Sequence, residues 1–254
     1  MPERAICEAH WLGRQDYAKT WQLQVELAAQ IAAGQRPATL LLLEHPHTYT
    51  VGRRGGLEHL VWGEAEREAR GIDLLEVDRG GDVTYHGPGQ LVGYPLLPLA
   101  APGWQGEHLP QADFIGYLRK LEKALILALM KYGIPAGQRE GLSGVWVMAE
   151  AFGRCPYCDP RLRPEPGKIA SIGVKVDAKG ISRHGFALNV EPDMSYWDGI
   201  IPCGLKGVQM LSIADLVREP PDVKQVAAEV ARTFAEVFQF EILWVSGDNG
   251  IALT

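Results

Sequence analysis

Arg79-Gly80-Gly81-Asp82-Val83-Thr84-Tyr85-His86-Gly87-Pro88-Gly89-Gln90 runs directly into Leu91-Val92-Gly93-Tyr94-Pro95-Leu96-Leu97. The first part packs four glycines among Arg, Asp, Thr, Tyr and His in twelve positions. Glycine adopts backbone angles barred to other residues and lets a ligand approach the main chain closely. A loop needed only for connection would be richer in Ser, Asp and Lys. This one reads as the wall of a binding site. The second part, 90–97, reads as a buried strand.

Working outward, 72–77 reads as a strand on the near side of the block, and 39–44 as a short apolar strand before it. Asp16 is placed to cap a first helix with Tyr17, Trp21, Val25, Ala28 and Ala32 on its apolar side and Gly34 at its end. Asp113 is placed to cap a long helix to about Tyr132. Phe114, Tyr117, Leu118, Leu121, Leu125, Ala128 and Leu129 share its apolar side, and Gly133 and Pro135 stop it. Beyond it, 144–148 reads as a strand, and 168–176 with 181–190 as a hairpin. A short turn begins at Ser212. An amphipathic helix follows over 222–238, and 241–245 suits an edge strand. Strands and helices are mixed without regular β-α alternation. The pattern is α+β, with a mixed or antiparallel sheet flanked by helices.

Two further segments turn the binding wall into a candidate reaction centre. In Gly167-Lys168-Ile169-Ala170-Ser171-Ile172-Gly173-Val174, a single lysine enters an apolar strand. Lysine is rarely buried without a partner, and an amine taken out of water gives up its proton more readily. In Ile201-Pro202-Cys203-Gly204, a tight turn presents a thiol with little steric cover. Free cysteine is most often an inert small hydrophobe. A lysine beside it favours the thiolate, and the pair then offers a nucleophile and a base.

The blocks RGGDVTYHGPGQLVGYPLL, GKIASIGVKV, SRHGFALNV and IPCG occur here in the order seen in the lipoyl(octanoyl) transferase family, which the chain resembles. The segment Glu44-His45-Pro46-His47-Thr48-Tyr49-Thr50-Val51-Gly52-Arg53 is similar to that family's N-terminal block. The resemblance covers about residues 40–211. It implies a fold similar to the catalytic domains of biotin and lipoate protein ligases. It implies octanoyl or lipoyl transfer from acyl carrier protein to a specific lysine, the first step of endogenous protein lipoylation, through a cysteine thioester. Cys203 is then the acyl carrier and Lys168 its activating group. Arg79, Gly80, Gly81, Asp82, Val83, Thr84, Tyr85 and His86 bind substrate, with Ser171, Ile172, Gly173, Gly185, Phe186 and Ala187 lining the acyl pocket. The acceptors implied are lipoyl domains of 2-oxoacid dehydrogenase complexes and the glycine cleavage H protein. No ATP, metal or other cofactor is expected. His86 and His184 sit inside matching blocks, where hydrogen-bonded scaffolding competes with direct catalysis.

Composition sets the outer bounds. The chain has 254 residues, 46% hydrophobic and 22% charged, with a formal net charge of −6. That is ordinary globular composition, and no Pro/Ser/Gly-rich linker divides it, so one catalytic domain over 1–254 is expected. The acidic balance argues against nonspecific nucleic-acid binding. No signal-type run opens the sequence, and no stretch approaches the ~18 apolar residues of a membrane span. A cytoplasmic monomer is the expectation. Cys7, Cys155, Cys158 and Cys203 are too few for a disulfide-stapled fold.

The interval 149–166 departs from the family pattern and reads as a loop insertion. Its Cys155-Pro156-Tyr157-Cys158 matches the glutaredoxin active-site tetrapeptide, but Pro160 and Pro164 disfavour the helix that a redox motif needs. A plain loop is favoured there over zinc or disulfide use. Three other functions stay open: an ATP-dependent lipoate or biotin ligase, an amidotransferase between lipoyl-carrier proteins, and a non-catalytic scaffold built on the CxxC loop. Pro202-Cys203-Gly204 argues against the ligase, which needs no nucleophilic thiol.

Overall fold

The computed structural model describes residues 4–99, 111–148, 165–204 and 207–245, with the backbone alone at 111–113 and 203. The CxxC of the insertion lies outside the described residues, and so do Arg161 and Arg163, which the sequence offers with Arg53 and Arg54 as a basic face for docking an acidic carrier protein. The strands in chain order are β1 (Ala5–Arg14), β2 (Ala38–Glu44), β3 (Thr48–Val51), β4 (Asp73–Glu76), β5 (Val83–His86), β6 (Gln90–Leu96), β7 (Ala136–Arg139), β8 (Leu142–Val147), β9 (Gly167–Val176), β10 (Ser182–Asn189), β11 (Gln209–Met210) and β12 (Phe240–Trp244). The helices are α1 (Tyr17–Ala32), α2 (Glu64–Ala69), α3 (Gln111–Lys131) and α4 (Val223–Phe238).

The main sheet runs β12-β1-β2-β6-β10-β9-β8-β7, with β11 pairing β9. β1 is parallel to both β2 and β12. From β2 to β7 the neighbours are antiparallel. A second, three-stranded sheet runs β4-β3-β5. The fold is α+β with mixed sheets and flanking helices, as the element pattern implies.

The leucine run of β2 explains the layering. Leu40, Leu41, Leu42 and Leu43 are all fully buried. Side chains alternate across a strand, so Leu40 and Leu42 join the core beneath α3 and α4 while Leu41 and Leu43 join the core beneath α1. A strand covered on both faces reads as a continuous apolar run for this reason. Each such leucine contributes roughly 1.5–3 kcal/mol of burial. A third cluster under the small sheet gathers Tyr49, Val83, Tyr85 and Trp197.

The helices follow their sequence signals closely. Asp16 caps α1 by accepting from the Lys19 N–H. Asp222 and Gln225 close a reciprocal capping box on α4. Gly133 ends α3 with φ +73°. α3 begins at Gln111, two residues ahead of Asp113.

The buried face of α1 differs from the expected stripe. It is formed by Tyr17, Thr20, Leu23, Gln24, Leu27, Ala28 and Ile31, while Val25 is 48% exposed. Two polar residues hold this face because each has a partner. Thr20 Oγ1 donates to Asp16 O at 2.6 Å, and Gln24 Oε1 accepts from the His184 N–H at 2.7 Å. Among the described residues no helix is long and apolar enough to cross a membrane.

Candidate active site

A cavity of about 370 Å³ lies where the two sheets meet. β9 and β10 supply Lys168, Ser171, Ile172, Gly173, His184, Gly185, Phe186 and Ala187. The glycine-rich block supplies Arg79, Gly81, Asp82, Val83, Thr84 and His86. Tyr17, Tyr94, Arg54 and the turn Gly141, Leu142 and Ser143 complete the lining. The block is held against β9 by the Gly80 N–H, which donates to Val174 O at 2.9 Å. Residues far apart in sequence therefore share one wall. Thr84 Oγ1, Ser171 Oγ and His184 Nδ1 are buried there without a hydrogen-bond partner.

Two residues of the expected binding set do not line the cavity. Gly80 makes the backbone tie just described. Tyr85 points into the small-sheet core, where it stacks on Tyr196 and its hydroxyl meets His47 Nδ1 at 2.9 Å. Strand alternation in β5 puts Thr84 and His86 on the cavity side and Tyr85 on the other.

Lys168 is 2% exposed, and its Nζ sits over the Trp146 ring at 5.6 Å. Its backbone carbonyl accepts from the Leu211 N–H at 2.9 Å. β11 pairs in parallel with the start of β9, Met210 opposite Lys168, and this returns the chain that follows the Pro202–Gly204 turn to the lysine.

Cys203 lies in that turn, a short 3-10 helix over Pro202–Gly204 closed by Gly204 N–H to Ile201 O at 3.1 Å. A Cβ on Gly204 would stand 2.8 Å from Asp82 Oδ2, so the turn abuts a residue of the cavity wall. The structure thus brings the Cys203 turn, the glycine-rich block and the Lys168 strand to one place. Among the described residues no group of three or more His, Cys, Asp or Glu side chains is placed to hold a metal ion.

Burial lowers the pKa of three histidines around the cavity, His45, His86 and His184. His45 Nδ1 donates to Gln15 O at 2.6 Å, which leaves Nε2 to accept from the Tyr94 hydroxyl at 2.7 Å. Burial lowers its pKa to about 4. Burial also pushes His86 well below the ordinary range, helped by His45 and Arg79. His86 Nδ1 meets Gln90 Oε1 at 2.9 Å, Gln90 Nε2 donates to Asn189 Oδ1 at 2.9 Å, and Asn189 donates to Leu211 O at 2.9 Å. This buried chain ties β5, β6, β10 and the segment beside Lys168 together, the scaffolding alternative for His86.

His184 has positive φ (56°), and its Nε2 meets Asp78 Oδ1 at 2.7 Å. Burial lowers its pKa, opposed by Asp78. Asp78 also accepts from Lys175 at 2.6 Å and Arg183 at 2.8 Å. Burial would raise the Asp78 carboxyl, but hydrogen bonds from His184, Lys175 and Arg183 together outweigh it and hold it well below the usual carboxylate range. Arg79 is buried and donates through Nη2 to Thr50 O at 2.7 Å and Thr50 Oγ1 at 2.8 Å. Its guanidinium therefore braces the block against β3 while lining the cavity.

The catalytic-domain model of the lipoyl protein ligases A and B matches residues 16–235. Octanoyltransferases match over nearly the whole chain. That of Solibacter usitatus is 43% identical over 237 residues, covering 93% of this chain and 95% of the relative. That of Chloroflexus aurantiacus is 40% identical over 232 residues, covering 91% and 94%. The chain belongs to the octanoyltransferase family.

Solved structures agree on the fold of this family member. A bi-partite lipoate protein ligase from Thermoplasma acidophilum superposes with a TM-score of 0.68 at 16% identity, covering 95% of this chain and 88% of that one. A lipoate-protein ligase A bound with ATP gives 0.63 at 16% identity, covering 94% and 90%. At such identity the likeness speaks for fold alone.

Tyr17, Tyr94 and the turn around Ser143, which line the cavity, and Asp78, which holds His184, are residues that sequence reasoning missed in this family member. Tyr94 lies inside the quoted stretch, and Asp78 directly precedes Arg79. Nothing local marks Tyr17 or Ser143, since each reaches the cavity through the tertiary fold.

Proposed function

We propose that this enzyme transfers an octanoyl group from acyl carrier protein to a lysine of a lipoyl-carrier domain, through a thioester on Cys203. The observation that carries the reading is a fully buried lysine in the wall of a cavity whose other wall abuts the Pro202–Gly204 turn. Lys168 takes the thiol proton, and the Cys203 thiolate attacks the donor thioester carbonyl. Lys168 returns that proton to the departing phosphopantetheine thiol. In the second half-reaction the acceptor amine attacks the acyl-Cys203, a C–N bond forms and the C–S bond breaks. Lys168 takes a proton from the attacking nitrogen and passes it to the Cys203 sulfur. The apolar lining from Ile172, Phe186 and Ala187 suits a saturated chain. Thioester exchange is nearly isoenergetic and amide formation is downhill, so the cycle needs no nucleotide.

Transfer from octanoyl-acyl carrier protein to a lipoyl domain, followed with and without ATP, tests this reading. Activity is expected without ATP, with a loss of at least about a hundredfold in Lys168→Ala. Lys168→Arg is expected to stay inactive, because guanidinium does not act as a base near neutral pH. Strict ATP dependence, or a fully active arginine variant, contradicts it. A lipoyl-domain donor working as well as the carrier protein favours the amidotransferase reading instead.

A further inference from the structure

Two protons must leave the acceptor nitrogen, because a lysine arrives as an ammonium and ends as an amide. One of them restores the Cys203 thiol by way of Lys168. The first has no acceptor in that path. Lys168 is 2% exposed, and its one proton-accepting position serves the proton that it passes to the sulfur.

His59 is placed for it. The segment that carries His59 is latched to the residues just ahead of the Cys203 turn. His59 O accepts from the Ile201 N–H at 2.8 Å, and the Val61 and Trp62 N–H groups donate to Gly199 O at 2.8 and 3.2 Å. Leu60 and Ile200 form an antiparallel bridge. His59 Nδ1 lies 2.7 Å from Asp82 Oδ2. The approach is off the hydrogen-bond axis and Nδ1 is closed to solvent, so the carboxylate acts on the ring by proximity rather than through an aligned bond. Asp82 is itself fixed by the Val83 N–H at 2.7 Å. A carboxylate at Nδ1 keeps the ring proton there and leaves the lone pair on Nε2.

The Nε2 edge faces the turn. A Cβ on Gly204 would stand 3.0 Å from His59 Cε1 and 3.5 Å from Nε2. The side chain is 26% exposed and that of Asp82 11%. The ring can therefore meet an amine arriving from solvent and shed the proton back to water.

We propose that His59, oriented by Asp82, is the base that converts the incoming acceptor lysine from ammonium to amine beside Cys203. The inference rests on the thioester reading of Cys203. The ammonium gives one proton to His59 Nε2, which passes it to solvent. The free amine then attacks the thioester, and its second proton ends on the sulfur. Asp82 is a positioning residue in this scheme.

Single-turnover transfer from preformed octanoyl-enzyme to a lipoyl-domain acceptor tests the proposal. His59→Gln is expected to slow this step about a hundredfold, so that acyl-enzyme accumulates during turnover with octanoyl-acyl carrier protein. Asp82→Asn is expected to slow the same step. Imidazole added to His59→Gly is expected to restore deacylation, which a purely structural role would not allow. An unchanged deacylation rate in His59→Gln, a variant that cannot be acylated, or absence of imidazole rescue overturns the proposal. If the wild-type protein never carries an acyl mass, the thioester reading fails instead, and the two failures are told apart by that control.

Discussion

Gly144 makes room for Lys168: a Cβ at position 144 would stand 2.7 Å from Lys168 Cε, 3.4 Å from Nζ and 2.4 Å from Ala170 O. Residue 144 has φ +108°, a backbone conformation that side-chain-bearing residues rarely adopt. The Gly144 N–H donates to Glu122 Oε1 at 3.0 Å, a carboxylate that is almost fully buried. The lysine lies across a strand whose backbone is anchored from the other side by α3. Lysine placement is thus set by a glycine on the neighbouring strand.

Gly144→Ala is therefore expected to displace the Lys168 side chain and lower transfer at least tenfold. The strained backbone costs about 1–3 kcal/mol in addition. Denaturant unfolding and acyl transfer, measured on the same variant, check both effects. A variant with wild-type activity shows that the lysine does not depend on this contact.

Acid sensitivity follows from the buried histidines. His45, His86 and His184 all have folded-state pKa values below their unfolded value, His45 at about 4. Each therefore binds fewer protons in the native state than in the unfolded state once the pH drops below about 6.5. Stability is fully present above that pH and falls as the pH moves from 6.5 toward 4, by up to about 1.4 kcal/mol per pH unit for each histidine. Asp78, whose carboxyl is held low, adds a loss that begins only below about pH 4. Urea unfolding between pH 7.5 and 4.5 measures the histidine part. A flat profile across that window contradicts the neutral, buried assignment.

Arg53 and Arg54 are exposed beside the site, and Arg54 lines the cavity. The chain is acidic overall, so docking of an acidic carrier protein calls for a local basic face. Arg53→Glu is expected to weaken use of octanoyl-acyl carrier protein several-fold more than use of a free octanoyl thioester. Added salt is expected to slow the carrier reaction selectively. Equal responses from the two donors assign these arginines to the pocket instead.

Much of this was legible where chemistry is local. The glycine spacing of 79–90, the lone lysine of β9 and the Pro-Cys-Gly turn carried both the family and the reaction class. The helix caps at Asp16 and Asp222 were readable because a cap is a single side chain meeting a nearby N–H. What the sequence concealed depends on tertiary partners. β1 was not read as a strand: its ladder partners, β2 and the distant β12, are parallel to it, and its mixed polar and apolar residues do not announce a strand. The buried face of α1 was misread because Thr20 and Gln24 are buried with hydrogen-bond partners, while Val25 is exposed. Tyr85 sits in the middle of the glycine-rich block yet faces the small-sheet core, since that part of the block is a strand and alternates. His59 carries no local mark at all, and its place beside the Cys203 turn is set by tertiary contacts, the backbone bonds to 199–201 and the ring edge against Gly204.

The covalent role of Cys203 is the central claim, and intact-mass analysis after mixing the protein with octanoyl-acyl carrier protein, with no acceptor present, tests it most directly. The account predicts a mass gain of one octanoyl group, carried by the peptide that contains Cys203 and absent in Cys203→Ala, which keeps its fold. No gain in the wild-type protein, or an equal gain in Cys203→Ala, would contradict it.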